Sequence, residues 1–451
     1  MHYNIKIFIF YKYIDIMNIL LILPHQLFHK KYFPKETKFN KIILWEHPQY
    51  FTKYTFNKKK LILHRASMKY YYDYLNKNKF TTEYYEYKDK PKINTSDNIY
   101  IFDPIDNINI KYDYMLESPN FLLNKELYAE YRKKTDKFYF TNFYMWAKQK
   151  IDIIPKIKSK DKYNRQKMPN TMSFNSLPSN KIDSKYINEA ITYISDNFSS
   201  NYGNTDNFIF PTTHKSATQW KKHFFKNNLN SFGPYQDFIY NKEPYLFHSC
   251  LSSSLNIGLL NPSEIIKDLK PLQNKYDINS YEGYIRQLFW REYQRYCYIY
   301  CDFNKNFFNN KKKLTVDWYK GTLGIKPIDD YIKIGFDTAY LHHIVRLMLI
   351  GNFMNLYGIS PKEGFKWFME FSIDSYEWVM MQNVLDMVFF VTGGQTMRKP
   401  YITSSNYILH MSTYKKNKWA DEWDILYNAF LKKHKDKLWK FRYHFPSLKK
   451  I

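Results

Sequence analysis

Asn18-Ile19-Leu20-Leu21-Ile22-Leu23-Pro24-His25-Gln26 is the stretch on which the fold turns. Residues 18–23 form a short, almost unbroken apolar run closed by a proline, the pattern of a strand covered on both faces. Lys41–Trp45 repeats that pattern, Ala66–Leu75 has helical spacing, and Thr82–Tyr87 and Asn98–Phe102 read as further strands. Phe138–Tyr144 is expected to be the last strand. Strands alternating with helices predict a parallel sheet in an α/β layer. A dinucleotide-binding sheet would carry a glycine-rich turn after its first strand. Pro24-His25-Gln26-Leu27 stands there instead, which disfavours ordinary NAD binding.

Residues 1–16 are aromatic-rich, are broken by Lys6, Lys12 and Asp15, and lack a small-residue cleavage site, so they do not read as a secretory signal. They are expected to be an extension ahead of Met17, with the α/β domain covering 17–150. Residues 151–185, rich in Lys, Asn, Ser and Pro without periodicity, read as a linker. From 186 to 451 long helical segments follow, and an all-α domain is expected.

The chain has 451 residues, enough for two or three cores, with 68 Lys and Arg against 42 Asp and Glu, a formal net charge of +26. That excess favours a polyanionic partner, nucleic acid ahead of an acidic membrane. The abundance of Lys, Asn, Ile, Tyr and Phe also resembles the drift of an AT-rich genome, which accounts for part of the basicity. Lys311–Lys313 is a charge run that reads as a solvated loop. Three cysteines, Cys250, Cys297 and Cys301, exclude a disulfide scaffold and point to a reducing intracellular compartment. Cys297 and Cys301, one helical turn apart, read as small buried side chains in the absence of further ligands. The longest apolar run, Ile19–Leu23, is too short to span a bilayer.

Four stretches carry chemistry. Residues 281–293, Tyr-Glu-Gly-Tyr-Ile-Arg-Gln-Leu-Phe-Trp-Arg-Glu-Tyr, read as a helix that places Gln287, Trp290, Arg291 and Gln294 on one face. Two amides, an indole and a guanidinium suit a cavity that stacks on a flat ligand and binds its edges. On pattern alone the stripe is an amphipathic helix with one half-buried Trp. Phe232-Gly233-Pro234-Tyr235-Gln236-Asp237 precedes His248-Ser249-Cys250-Leu251-Ser252-Ser253-Ser254-Leu255-Asn256, whose serines suit either a pyrophosphate or an ordinary helix N-terminus. A helix expected over Asp337–Asn352 carries His342, His343 and Arg346; the two adjacent histidines cannot share a face. Ile373–Trp378, Gln382-Asn383, Gly393-Gly394 and Lys399-Pro400-Tyr401 suit another wall.

Taken in order, these blocks resemble the photolyase/cryptochrome superfamily, and within it the prokaryotic (6-4) photolyases that carry an iron–sulfur cluster. The resemblance is faint through the first third and strong from about Asn201 to Tyr427. It rests on FGPYQD at 232–237, EGYIRQLFWREY at 282–293, AYLHHIVRLMLIGNF at 339–353, YEWV at 376–379 and SSNYI at 404–408. The resemblance implies a Rossmann-like antenna-type domain and a helical domain that binds FAD. It implies light-driven repair of a flipped pyrimidine lesion in damaged DNA. On that basis Ser249, Leu251, Ser252 and Leu255 fall in the FAD-wrapping stretch. Gln287 falls where relatives contact the lesion, Trp290 where they stack on it, and Arg291 near the cofactor. Arg346 matches the arginine at the flavin edge, Asn383 the side chain near flavin N5, and His343 the acid–base of (6-4) repair. Trp367 lies where relatives keep an electron-transfer aromatic, with Trp318, Tyr319 and Trp378 as further steps.

This chain also departs from that pattern. The branch's cluster cysteines fall at Lys415, Lys418 and Asp421 and in the cysteine-free stretch 327–332, so no iron–sulfur cluster is expected. Gln382 replaces a family proline, Asp386 a glycine, and Val388–Thr392 a stretch that ends in an acidic residue. The sequence names no antenna chromophore. The expected protein is a soluble, intracellular monomer that acts on UV-damaged DNA, at (6-4) photoproducts ahead of cyclobutane dimers. The alternatives are a cryptochrome-like light sensor without repair and a flavin-free nucleic-acid-binding remnant.

Overall fold

The computed structural model describes residues 16–151, 159–169 and 171–449. The expected N-terminal extension, Ile16 aside, lies outside these residues, as does part of the expected linker. Five parallel strands, β1 (Asn18–Ile22), β2 (Lys41–Trp45), β3 (Thr82–Tyr85), β4 (Asn98–Phe102) and β5 (Tyr114–Leu116), stand in the order β3-β2-β1-β4-β5. Leu20 is paired with Ile42 on one side and Tyr100 on the other, so β1 is the central strand. Leu20, Leu21, Ile22 and Leu23 are all buried, as their unbroken apolar run demands.

Strand order reverses beside β1, where an open α/β sheet usually receives a ligand. Here the position is filled by protein. Gln26 donates from Nε2 to the Phe102 carbonyl at 2.6 Å, and its Oε1 accepts from Leu23 N at 3.1 Å. The ring of His25 meets the Pro104 carbonyl at 2.9 Å, and burial pulls its pKa down to about 4. These side chains stitch β1 to β4 at the point where a dinucleotide fold keeps glycines.

Two expectations fail in this half. Phe138–Tyr144 is not a strand: Phe140–Lys150 is a helix, with Phe143, Tyr144 and Ala147 buried at helical spacing. The first helix, α1 (Lys58–Lys77), begins two turns before Ala66. Asn57 caps it, accepting from Lys59 N at 2.9 Å. Lys59 and Lys60 look like surface residues in sequence but are buried, because both ammonium groups are held by the helical half.

The second half is helical apart from two isolated bridges, Ile239 to Ser412 and Lys312 to Ile359. Its central element is helix Ile278–Tyr300, packed on helix Leu229–Tyr235. Gly233 makes that approach possible: a Cβ there would stand 2.7 Å from Ser280 Cα. Residues 159–169 lie against the same helix, where the Lys160 N–H donates to Glu282 and Asp161 pairs with Arg286. The helix expected over Asp337–Asn352 is broken. Helix Lys326–Thr338 stops at Ala339 in the left-handed region (φ 55°), and helical geometry resumes only at His343. Val345–Gly351 and Met381–Val388 are then π-helical. Such wide turns are rare and recur at functional sites. No described helix is long and apolar enough to cross a membrane.

Candidate functional site

The two π-helical stretches pack on one another and carry Arg346 and Asn383. Arg346 forms an ion pair with Asp374 (Nη1–Oδ1 2.9 Å) and donates from Nε to the Leu341 carbonyl at 2.6 Å. Asp374 also accepts from Ser252 Oγ at 2.6 Å and Ser372 Oγ at 2.5 Å. Burial opposes its charge, yet Arg346 and these hydroxyls hold its carboxyl below the usual range. Asn256 Nδ2 donates to the Asp374 carbonyl at 2.9 Å, while its Oδ1 accepts from Arg291 Nε at 3.1 Å. The serine stretch and the arginine of the 340s thus meet at the Asp374 carboxylate, and the helix-278 stripe is joined to the same residue through Asn256 and the Asp374 backbone carbonyl.

Arg291 is a buried cation that forms no ion pair among the described residues, although the Glu292 charge favours its ionised form. Its Nη1 donates to the Asn120 carbonyl at 2.6 Å, its guanidinium lies over Phe121 and Trp378, and Nη2 has no partner. Burial pulls its pKa down to about 10, which still leaves it charged at neutral pH. A charge so placed calls for an anionic ligand. Other buried polar atoms without partners are the hydroxyls of Ser253 and Ser254 and the side-chain oxygens of Gln382 and Asn383. Asn383 spends its donor on the Val379 carbonyl at 2.8 Å and leaves its acceptor free. These orphaned donors and acceptors around an ion pair fit a polar, anionic, flat cofactor of the FAD type.

His343 adjoins Arg346 and has a different character. Its side chain is reachable by solvent, although the protein around it is dense enough to pull its pKa down to about 4, with the Arg346 charge adding to the shift. Behind it, His248 and His342 stack with centroids 4.5 Å apart. His342 is buried and His248 half-buried; desolvation brings His248 to about 3 and His342 well below its usual value. Gln287 and Trp290 are half-buried. Gln287 donates to Gln236 at 3.3 Å, so the FGPYQD block faces the stripe. Phe140 already stacks on one face of Trp290 at 3.7 Å, leaving at most the opposite face for a ligand.

Other expected residues divide. Leu251 and Leu255 are core side chains; the Leu255 N–H bonds Leu251 and its carbonyl accepts from Asn120, so Leu255 has no free N–H to offer. Ser249 uses its hydroxyl locally, on the Leu251 N–H at 3.4 Å. Trp367 and Trp318 are adjacent, joined by an indole N–H to the Trp318 carbonyl at 2.7 Å, and Trp367 reaches Arg346 through Phe371. Trp378 belongs instead to the Arg291 side. In the stretch 327–332, Asp330 accepts from Tyr414 at 2.8 Å and pairs with Lys326. Among the described residues no group of three or more His, Cys, Asp and Glu could hold a metal ion.

Asp374, Asn256 and Lys60 were missed as site residues. Asp374 had a local signal, its flanking Ser372 and Ser375; Lys60 had none, because it reaches the site from the other domain.

Comparison with known proteins agrees with this architecture. A family model described as deoxyribodipyrimidine photo-lyase-related protein matches residues 20–101 and 103–210. A (6-4) photolyase of Agrobacterium fabrum is 36% identical over 272 residues, which is 56% of this chain and 53% of that protein. The chain thus matches about half the length of that curated relative. An uncharacterized protein, R855, of Acanthamoeba polyphaga mimivirus is 55% identical over 91 residues, 20% of this chain and 74% of that protein. A bacterial class III photolyase structure from Agrobacterium tumefaciens superposes with a TM-score of 0.55 at 13% identity, covering 89% of this chain and 88% of that one. A Synechocystis cryptochrome gives 0.58 at 13% identity, covering 94% and 90%. Residues 20–210 thus match the photo-lyase-related family model, and the fold is the one that photolyases and cryptochromes share.

Proposed function

We propose that this protein binds FAD at the Arg346–Asp374 centre and uses light to repair (6-4) photoproducts in DNA, with His343 as the acid–base. The observation that carries the reading is His343 itself, an accessible imidazole three residues before Arg346, whose charge it feels. Ser252, Ser253, Ser254 and Arg291 would hold the cofactor's polar and anionic parts, and Asn383 Oδ1 would accept a hydrogen bond from its ring edge. Bound reduced flavin would supply an electron on illumination. Gln287 would bond the edge of a flipped base, and Trp290 would stack on it with its one free face.

His343 is neutral in the free protein at pH 7, since its pKa lies below its usual value. An anionic nucleotide placed against it offsets Arg346 and favours the imidazolium that a proton donor requires. Trp367 and Trp318 would pass electrons toward the flavin, with Trp378 on a separate side. The cofactor set is FAD without an iron–sulfur cluster, and an antenna chromophore remains unassigned.

The test is illumination of reduced protein with DNA that carries one defined lesion. Loss of (6-4) photoproducts is expected, and His343→Ala should abolish it while the yellow flavin absorbance persists. Repair of cyclobutane dimers alone would overturn the substrate class, and a colourless preparation would overturn the light-driven reading. Stoichiometric iron would refute the missing cluster.

A further inference from the structure

The last described turns of the chain are built as a nucleic-acid surface that the site does not include. Leu438, Phe445 and Leu448 are buried and anchor the segment, and Phe441 packs on Phe390 with centroids 5.4 Å apart. Between these anchors two large aromatics point outward: Trp439 is 47% exposed and Tyr443 76%. Arg442 holds them as a unit. Its guanidinium lies 5.5 Å from the Trp439 ring and 4.7 Å from the Tyr443 ring, and its Nη1 donates to the Trp439 carbonyl at 3.1 Å. Around them stand Lys432, Lys433, Lys435, Lys437 and Lys440, all exposed. Asp436 is the only acid in residues 432–444, and no ion pair involves any of these cations among the described residues. Six cations that repel one another and two exposed rings make a costly arrangement unless a polyanion with flat groups covers it.

The segment is joined to the stripe on helix Ile278–Tyr300 through the interior. Lys440 Nζ donates to the Gly393 carbonyl at 3.0 Å. Three residues on, the Thr396 carbonyl accepts from Tyr293 at 3.2 Å, and Tyr293 abuts Trp290 at 5.4 Å. Arg398, exposed above Tyr139, continues the positive stripe.

We propose that residues 432–444 bind single-stranded nucleic acid next to the candidate site, with Trp439 and Tyr443 stacking on unpaired bases and the lysines following the phosphates. Unpaired bases are the occupant that both features select, because a duplex hides its base faces while phosphates alone need no rings. The proposal rests on the reading of Gln287 and Trp290 as a wall for a flipped nucleotide, which leaves its flanking strand locally unpaired.

Fluorescence anisotropy of the full-length protein tests it, with a lesion-free labelled oligothymidine of about 20 nucleotides against a duplex of equal length. Trp439→Ala/Tyr443→Ala should weaken single-strand binding by about tenfold or more and leave duplex binding within about twofold. Lys440→Ala/Lys437→Ala should weaken both and lower the salt slope for the single strand by about 1.4. Single-strand affinity unchanged in the aromatic variant would overturn the proposal, as would equal losses on duplex. Circular dichroism verifies that each variant is folded. Lesion repair is scored separately, so a protein that binds single strands but repairs nothing would sink the proposed function and leave this surface standing.

Discussion

The two sides of the candidate site are built differently. On the closed side, Arg346, Asp374, Ser252, Asn256 and Arg291 form one connected network of ion pair and hydrogen bonds, buried and tied to both domains. On the open side, Gln287, Trp290 and His343 are accessible; Gln287 makes one long hydrogen bond and Trp290 one stack. The closed side is rigid before anything binds, which suits a resident cofactor. The open side keeps its polar atoms and ring face for something that comes and goes. The difference predicts that substitutions on the closed side unfold or empty the protein, whereas those on the open side cost only affinity.

The largest effect should come from Asp374→Ala. It leaves Arg346 as an unpaired buried cation and strips Ser252 of its acceptor, a loss of about 3–5 kcal/mol by analogy with broken buried pairs. A strong fall in melting temperature and loss of bound flavin are expected. A variant that keeps both would break the comparison.

Lys60 should give an intermediate effect with a pH signature. Its ammonium bonds the Ser375 carbonyl and Ser375 Oγ (2.9 Å), and so holds the Asp374 loop from the N-terminal domain. Burial lowers its pKa to about 7, with Asp106 and Asp374 acting in the opposite direction. The groups around it are His64 and His25, both held neutral, together with Tyr376 and the carboxyl of Asp106, which burial raises to about 7. The unfolded chain binds Lys60's proton more tightly than the folded one, so this term favours folding at high pH and is lost as pH falls from about 10 toward 7. Lys60→Met removes it. The variant's deficit in melting temperature should therefore be larger at pH 9.5 than at pH 7; a pH-independent deficit would show that Lys60 only packs.

Legibility was uneven. Gln287, Trp290, Arg291 and His343 stood out as candidates, but residues 281–293 alone read as an amphipathic helix and the proposed roles came from the family resemblance. The sheet was visible too, because β1 and β2 are apolar runs covered on both faces. Phe138–Tyr144 misled because aromatic residues favour strands, while the spacing of Phe143, Tyr144 and Ala147 satisfies a helix that packs on helix Ile278–Tyr300. The π-helical turns left no trace, since their wide register is imposed by tertiary packing. Lys60 was invisible because its burial depends on a carbonyl 315 residues away. The family model matches 20–210, where the motifs were faintest; weak signals spread along β-α units identify a family that no single block there could.

The smallest effect, and the sharpest for the comparison, is Gln287→Ala. Its single hydrogen bond, to Gln236 at 3.3 Å, is near the long limit and joins half-buried Gln287 to a buried amide, so its loss should change stability by less than about 1 kcal/mol. Flavin content should not change, because the residue touches none of the closed-side network. Affinity for lesion-bearing DNA should fall several-fold relative to undamaged DNA, as one edge contact to a flipped base disappears. If Gln287→Ala instead lowered the melting temperature as far as Lys60→Met, the open side would be part of the scaffold, and the division between resident and visiting ligands would fail.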